Sequence, residues 1–398
     1  MKPWMRVLLP LLLALAVLAY WGLPEDHTQP VRLGLALNLS GTGGTAGEYI
    51  REGAMLAVEA VNGRGGIHGR PLELLIRDDG NTREGVITAD QELLDAGVLA
   101  IIGHVTSENT LYAYEYLMSK DVLLFTPYTA TTRLTGRDDL FFRTSVDTSL
   151  YGRAMARLLE QKGTESVAVL LDMANASFTV DYVSQLRRHF EGEIHETRFD
   201  SKQDVDWDEI LTQLLTPLPA AVVLLTEVSR TGIAAQKLRA QGYTGPLIAT
   251  LWAQTPDLMR FGGKAVEGLS LVTFIDPNNR RPAFLEFSRL IEQRLSRPAN
   301  ARSTRAYEAV TLLAEALRRS DGLSVSVLKR ALLGGSFETL LGTVRFDEFG
   351  DVQRPVFEVK VQGGCFVTAQ TLVSAPIPSD GLGQTNGGGP QGARPPGL

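Results

Sequence analysis

The sequence predicts an α/β protein of two lobes, each built on a doubly wound parallel sheet. Three observations carry this expectation. Short, nearly all-apolar runs alternate with segments of helical apolar period five or six times before about residue 250. Strands apolar on both faces belong to parallel sheets covered by helices on both sides. So many strand–helix units exceed what one sheet comfortably holds, and 398 residues are enough for two lobes with tails.

Taken in order, residues 31–39 (VRLGLALNL) read as the first strand, followed by a Gly-rich loop at 40–47. Ile50, Ala54, Ala57, Val58 and Val61 recur at helical spacing, and the glycines of 63–66 stop that helix. Residues 71–77 form the second strand, ended by Asp78-Asp79-Gly80, and a helix from about Thr82 carries Val86, Ile87, Leu93 and Leu94 on one face. A third strand at 99–102 breaks at Gly103-His104 and meets Thr106-Ser107-Glu108-Asn109-Thr110 at the head of a helix bearing Leu111, Tyr114 and Leu117. Further strands are expected at 122–126, 166–171, 220–226, 246–250 and 269–274, with helices near 149–163, 179–190, 206–215 and 229–241. Two amphipathic helices, about 281–295 and 304–319, precede 342–350 and 355–361, which read as a closing hairpin.

Composition excludes several functions. The chain is 44% hydrophobic and 21% charged with a net charge of −6, and it lacks basic blocks, which argues against nucleic acid as the main partner. Cys365 is the one cysteine, so there is no internal disulfide or thiolate metal cluster. Five scattered histidines make no H-x-x-x-H pair, and no metal or cofactor is expected. Lys2 and Arg6 before the apolar run 7–23, with Glu25 and Asp26 after it, place the body outside the cytoplasm. That run is short for a spanning helix and long for a signal core, so 1–30 reads as either a cleaved signal peptide or an uncleaved membrane anchor. Residues 375–398 are Pro/Gly-rich without apolar period and are expected to be disordered.

The loop from Gly41 to Ala46 fits the G-x-G-x-x-[G/A] dinucleotide pattern, but the acidic pair Asp78/Asp79 lies more than thirty residues on, where about twenty is usual. A backbone-lined rim for a small polar ligand is the preferred reading. Three turns at the carboxyl ends of neighbouring strands carry clustered hydroxyls: Ser40, Thr42 and Thr45; Thr106, Ser107, Asn109 and Thr110; Tyr128, Thr129, Thr131 and Thr132. The second also opens a helix, whose free N–H groups and dipole suit a carboxylate. One such hydroxyl is usually a cap; three turns on one edge mark a ligand site. Asp172, Asn175, Ser177 and Phe178, with Thr226, Glu227 and Trp252, follow second-lobe strands and are expected to form the facing wall, Phe178 or Trp252 offering a stacking surface. There is no G-x-S-x-G, H-E-x-x-H or P-loop, so no enzyme is expected.

From about residue 31 to 361 the chain resembles the branched-chain amino-acid-binding type of periplasmic binding protein (type I fold), the solute receptors of ABC importers. The resemblance rests on LNLSG with its loop, GAMLAVEAVNGRGGIHGRPLELLIRDD, VLAIIGHVTSENT, the TP…LT segment at 126–135, FFRT, AYEAVTLLAEAL and GTVRFDEFGDV. It implies three crossovers forming a hinge, with one lobe at 31–147 plus 276–340 and the other at 148–275 plus 341–374. The family's carboxylate-binding serine falls on Ser107. The hydroxyl-bearing position after the TP proline falls on Ala130, flanked by Thr129 and Thr131, and the aromatic before the first helix falls on Ala46. The acidic partner of a substrate ammonium falls at or beside Leu251 and Trp252. An unpaired buried ammonium costs several kcal/mol, so unless Glu227 or Asp172 substitutes, an amide, an organic acid or an aromatic acid suits the site better than a standard amino acid. The function implied is capture of such a solute outside the membrane for an ABC permease. The contacts expected are Ser40, Thr106, Ser107, Tyr128, Thr129, Thr131, Phe178, Glu227 and Trp252. A membrane-tethered sensory domain of the same fold is the alternative, and a NAD-dependent oxidoreductase the third reading.

Overall fold

The computed structural model describes residues 29–40 and 44–374. Strands β1 (Val31–Leu37), β2 (Leu72–Asp78), β3 (Ala100–Ile102), β4 (Leu123–Thr126) and β5 (Phe141–Arg143) form an all-parallel sheet in the order β2-β1-β3-β4-β5. Alternate residues serve its two faces. Leu33, Leu35 and Leu37, with Ile102 and Phe125, pack on the Gly44–Gly63 and Ala301–Arg318 helices. Ala36, Ile101 and Leu124 face the Arg83–Asp95 and Ser107–Leu117 helices. Gly53 permits the closest helix contact, since a Cβ there would sit 2.2 Å from the Ser303 carbonyl oxygen.

The second sheet begins with β6 (Ser166–Asp172), β7 (Glu193–Phe199), β8 (Ala221–Leu225), β9 (Leu247–Thr250) and β10 (Ser270–Thr273), parallel and ordered β10-β9-β8-β6-β7. Val167, Val169 and Leu171 pack on the Thr148–Gln161 and Ala176–Arg187 helices, and Ala168 and Leu170 on the opposite layer. The chain ends with β11 (Phe337–Thr339), β12 (Gly342–Val344), β13 (Val356–Gln362) and β14 (Cys365–Val373).

Two expectations are corrected here. The closing hairpin joins β13 to β14, antiparallel beside β10, so the second sheet is mixed; residues 342–344 pair instead with β11. Val344, Phe346 and Val352 lie in the first lobe's core, so the last crossing falls after Val352 and not at 341. The apolar alternation of 342–352 serves the lobe it leaves, which sequence period alone does not reveal. The other crossings follow β5 and β10, making three. The expected signal or anchor at 1–30 lies outside the described residues except for its last two, and the tail from 375 lies wholly outside them. Among the described residues no helix is long and apolar enough to cross a membrane.

Candidate ligand-binding cleft

The carboxyl ends of the parallel strands of both sheets face one cleft, and loops from each lobe bound it. The two walls touch directly. The Ser107–Leu117 helix is capped at its start by Thr106, whose hydroxyl accepts from Asn109 N at 3.2 Å. The next N–H, of Glu108, donates to the Asn175 side chain of the other lobe at 3.2 Å. The helix end expected to hold a carboxylate is therefore partly filled by a carboxamide of the protein itself. Glu108 in turn accepts from Ser177 N at 3.1 Å and from the Ser177 hydroxyl. Burial raises its pKa, but these bonds and one from Tyr112 outweigh that and hold the carboxyl below its usual range.

A second latch lies at Asp181. It accepts from Thr132 N at 2.6 Å, from the Thr148 hydroxyl at 2.6 Å and from the Thr131 hydroxyl at 3.2 Å. Burial again opposes ionisation, and the donors from Thr148, Thr132 and Gln185 win, so Asp181 stays charged below the ordinary carboxylate range. Lys202 Nζ donates to the Asn81 carbonyl at 2.9 Å across the same mouth. These direct bonds describe a closed arrangement of the lobes.

Two adjoining cavities remain between the walls. The outer, of about 410 Å³, lies within the range of small-molecule sites. Thr106, Asp172, Asn175, Glu227, Trp252 and Arg302 line it, with Tyr49, Ile233 and Phe261 as apolar wall. The inner measures about 40 Å³ and is lined by Ser107, Tyr128, Tyr151, Phe178, Arg302 and Arg305 among others. Val105, Asn175, Trp252 and Arg302 border both. Phe178 meets Trp252 edge-on at 5.8 Å, and Tyr182 at 5.6 Å behind it, so an aromatic column runs from the cleft into the second core.

The sequence-predicted residues thus separate into three groups. Thr106, Glu227 and Trp252 border the outer cavity; Ser107, Tyr128, Phe178 and again Trp252 border the inner one. Ser40, Thr129 and Thr131 border neither. Ser40 sits beside Asp78, which accepts hydrogen bonds from it. Thr129 is buried against the Thr110 hydroxyl at 2.5 Å, and Thr131 bonds the Asp181 latch. Glu227 is also a helix cap, accepting from Arg230 N at 2.8 Å and Ser229 N at 3.0 Å. Sequence reasoning missed Tyr49, Tyr151, Asp257, Arg302 and Arg305. The last two stand at positions 302 and 305, one turn apart at the head of a helix expected to start at 304, and an arginine at a helix start reads as solvated surface.

The dinucleotide reading finds no ribose partner. Asp78 accepts from Leu39 N and Gly80 N at 2.9 Å each. Asp79 is fully buried, bonding His104 Nδ1 at 2.7 Å and Asn81 N at 2.9 Å. His104 also meets Asp90 at 3.2 Å; burial disfavours its charge, but the two carboxylates push its pKa up to about 10.

Two parallel-sheet lobes, three crossings and a closed cleft define a bilobal solute-binding protein. The sequence profile of the periplasmic binding protein family matches residues 30–365, and the chain belongs to that family. Among relatives, a Leu/Ile/Val-binding protein homolog 3 of Brucella melitensis is 26% identical over 88% of this chain and 96% of its own. The leucine-, isoleucine-, valine-, threonine- and alanine-binding protein of Pseudomonas aeruginosa is 23% identical over 87% and 93%. Among solved structures, a leucine-binding protein of Thermotoga maritima superposes with a TM-score of 0.80 at 23% identity, covering 86% of this chain and 99% of the other. A solute-binding protein of R. palustris in complex with benzoate gives 0.78 at 18%, covering 87% and 97%. The family is one of binding proteins rather than enzymes, and it implies a location outside the cytoplasm.

Proposed function

We propose that the chain captures a small polar solute in the cleft between its lobes, outside the cytoplasmic membrane, and presents the closed form to an ABC permease. One observation carries the reading: a cavity of about 410 Å³ is bounded by both lobes while direct bonds at Glu108 and Asp181 hold them together. A ligand in that space touches both walls and therefore favours closure over opening. The relatives named for amino acids and the neighbour holding benzoate support a solute of that size. A thermal-shift screen of amino acids, amides and aromatic acids tests it. A ligand at one hundred times its Kd adds about 2.7 kcal/mol to folding stability, which shifts the melting point measurably. No shift from any member of the panel counts against solute capture. The permease partner is tested separately, by stimulation of a reconstituted transporter's ATPase by the loaded protein.

A further inference from the structure

We infer that the solute is an anion with no cationic group beside its charge, a carboxylate in the first instance, seated against Arg302 and Arg305. This rests on the solute-capture reading above. Both guanidinium groups are deeply buried, at 4% and 5% residue exposure, and both border the inner cavity. Among the described residues neither has a carboxylate within ion-pairing distance, although the same protein pairs its other buried arginines, Arg143 with Asp351 and Arg354 with Glu308. Arg305 is held by the carbonyls of Ala301 and Pro127 at 3.0 and 3.1 Å and lies 4.5 Å from the Tyr128 ring centroid. Arg302 donates to the Trp252 carbonyl at 3.3 Å, and its Nε has no partner.

Carbonyl dipoles and a ring face do not neutralise two buried charges one helical turn apart. Burial pulls the Arg305 pKa down to about 10 and the Arg302 charge pulls the same way, yet at neutral pH the group stays cationic. The positive end of the Ala301–Arg318 helix dipole lies at the same place. The inner wall offers donors and no acid: the Ser107, Ser145 and Tyr151 hydroxyls border it beside the two arginines, and no Asp or Glu does. Acids do border the outer cavity, away from the arginine-lined inner one. Glu227 caps its helix and Asp257 pairs with Arg260 at 3.0 Å; Asp172 accepts from Ala174 N and Ser201 N on one oxygen, while its other oxygen is buried without a partner.

Size agrees with charge. At about 40 Å³ against about 410 Å³ for the outer cavity, the inner one suits the head group of a ligand rather than its body. The body of the ligand passes Trp252 into the outer cavity, against Tyr49, Ile233 and Phe261. An α-amino acid seated this way brings its ammonium, one carbon from the carboxylate, onto a wall that carries two arginines.

Isothermal titration of the wild-type protein at pH 7.5 tests this with monocarboxylates from acetate to phenylpropanoate, their matched amides, and the standard amino acids. The expected result is that at least one carboxylate binds more than tenfold tighter than its amide and than any amino acid. If an amide or an amino acid binds as tightly as the best carboxylate, the anion assignment falls while solute capture stands; if nothing in the panel binds, both fall. In Arg302→Met the carboxylate affinity is expected to drop more than tenfold while the ligand-free melting temperature holds or rises. A lower melting temperature with intact carboxylate binding makes Arg302 structural and overturns the assignment. Arg302→Lys, which keeps the charge, is expected to retain part of the affinity, and the wild-type comparison decides even if a variant does not fold.

Discussion

Buried arginines divide this molecule into two kinds of interior. Arg354, just past the last crossing, meets Glu308 of the first lobe at 2.8 Å, and Arg143 meets Asp351 at 2.6 Å nearby. Arg302 and Arg305, as deeply buried, lie between the lobes without a carboxylate among the described residues. Where the fold itself holds a buried cation, the chain supplies the counter-charge. Where the cleft holds one, the counter-charge is left to come from elsewhere. The same contrast recurs among the acids: Asp181 and Glu108, at the rim, are surrounded by donors and need nothing further.

The largest effect is expected from breaking a paired arginine. Glu308→Gln leaves Arg354 buried without its partner and should lower unfolding stability by about 3–5 kcal/mol in urea titrations. A loss comparable to a surface substitution would erase the distinction between the two kinds of arginine. Next comes the cleft. Ser107→Ala should weaken ligand binding by about 1–3 kcal/mol if a charged acceptor sits in the inner cavity, read by titration with the best ligand. Unchanged affinity would leave Ser107 as no more than an acceptor for Ala130 N, which it bonds at 3.3 Å.

The His104 trio supplies a purely structural control. Its raised pKa means that the stabilisation is complete below about pH 6.5 and is lost as pH climbs toward 10. Melting temperature should therefore fall over that window, and His104→Gln should flatten the slope. Asp181 works with the opposite sign. Its depressed pKa contributes above the ordinary carboxylate range and is lost as pH falls below about 4. Ligand affinity should drop there, and Asp181→Asn should reproduce part of the drop at neutral pH. The smallest effect belongs to the surface: Glu315→Ala, breaking an exposed pair with Arg319, should change stability by less than about 0.5 kcal/mol.

Much of the fold was legible because buried parallel strands announce themselves. Residues 166–171 and 220–226 are apolar on both faces, and both became central strands. The elements that escaped are short or lie at edges. β5 is three residues long, and β7 (EIHETRF) alternates polar side chains because one face of an edge strand meets solvent. Half of the cleft was legible for a related reason. Turns at strand ends declare which residues reach the cleft edge, as Thr106, Ser107, Glu227 and Trp252 did. They do not declare which hydroxyls turn inward, and Thr129 did so toward Thr110. Nor does a sequence distinguish an arginine on a helix's wet face from one at its buried head; only the docking of Ala301 into the second core separates them.

Trp252 also makes the protein its own optical probe. Trp207, the other tryptophan among the described residues, rests against Phe199 on the far side of the second sheet, whereas Trp252 forms part of the partition between the two cavities. A ligand threaded past its indole changes the dielectric around that one ring. Emission from a variant with Trp4, Trp21 and Trp207 all changed to Phe then reports occupancy in real time, with no label attached.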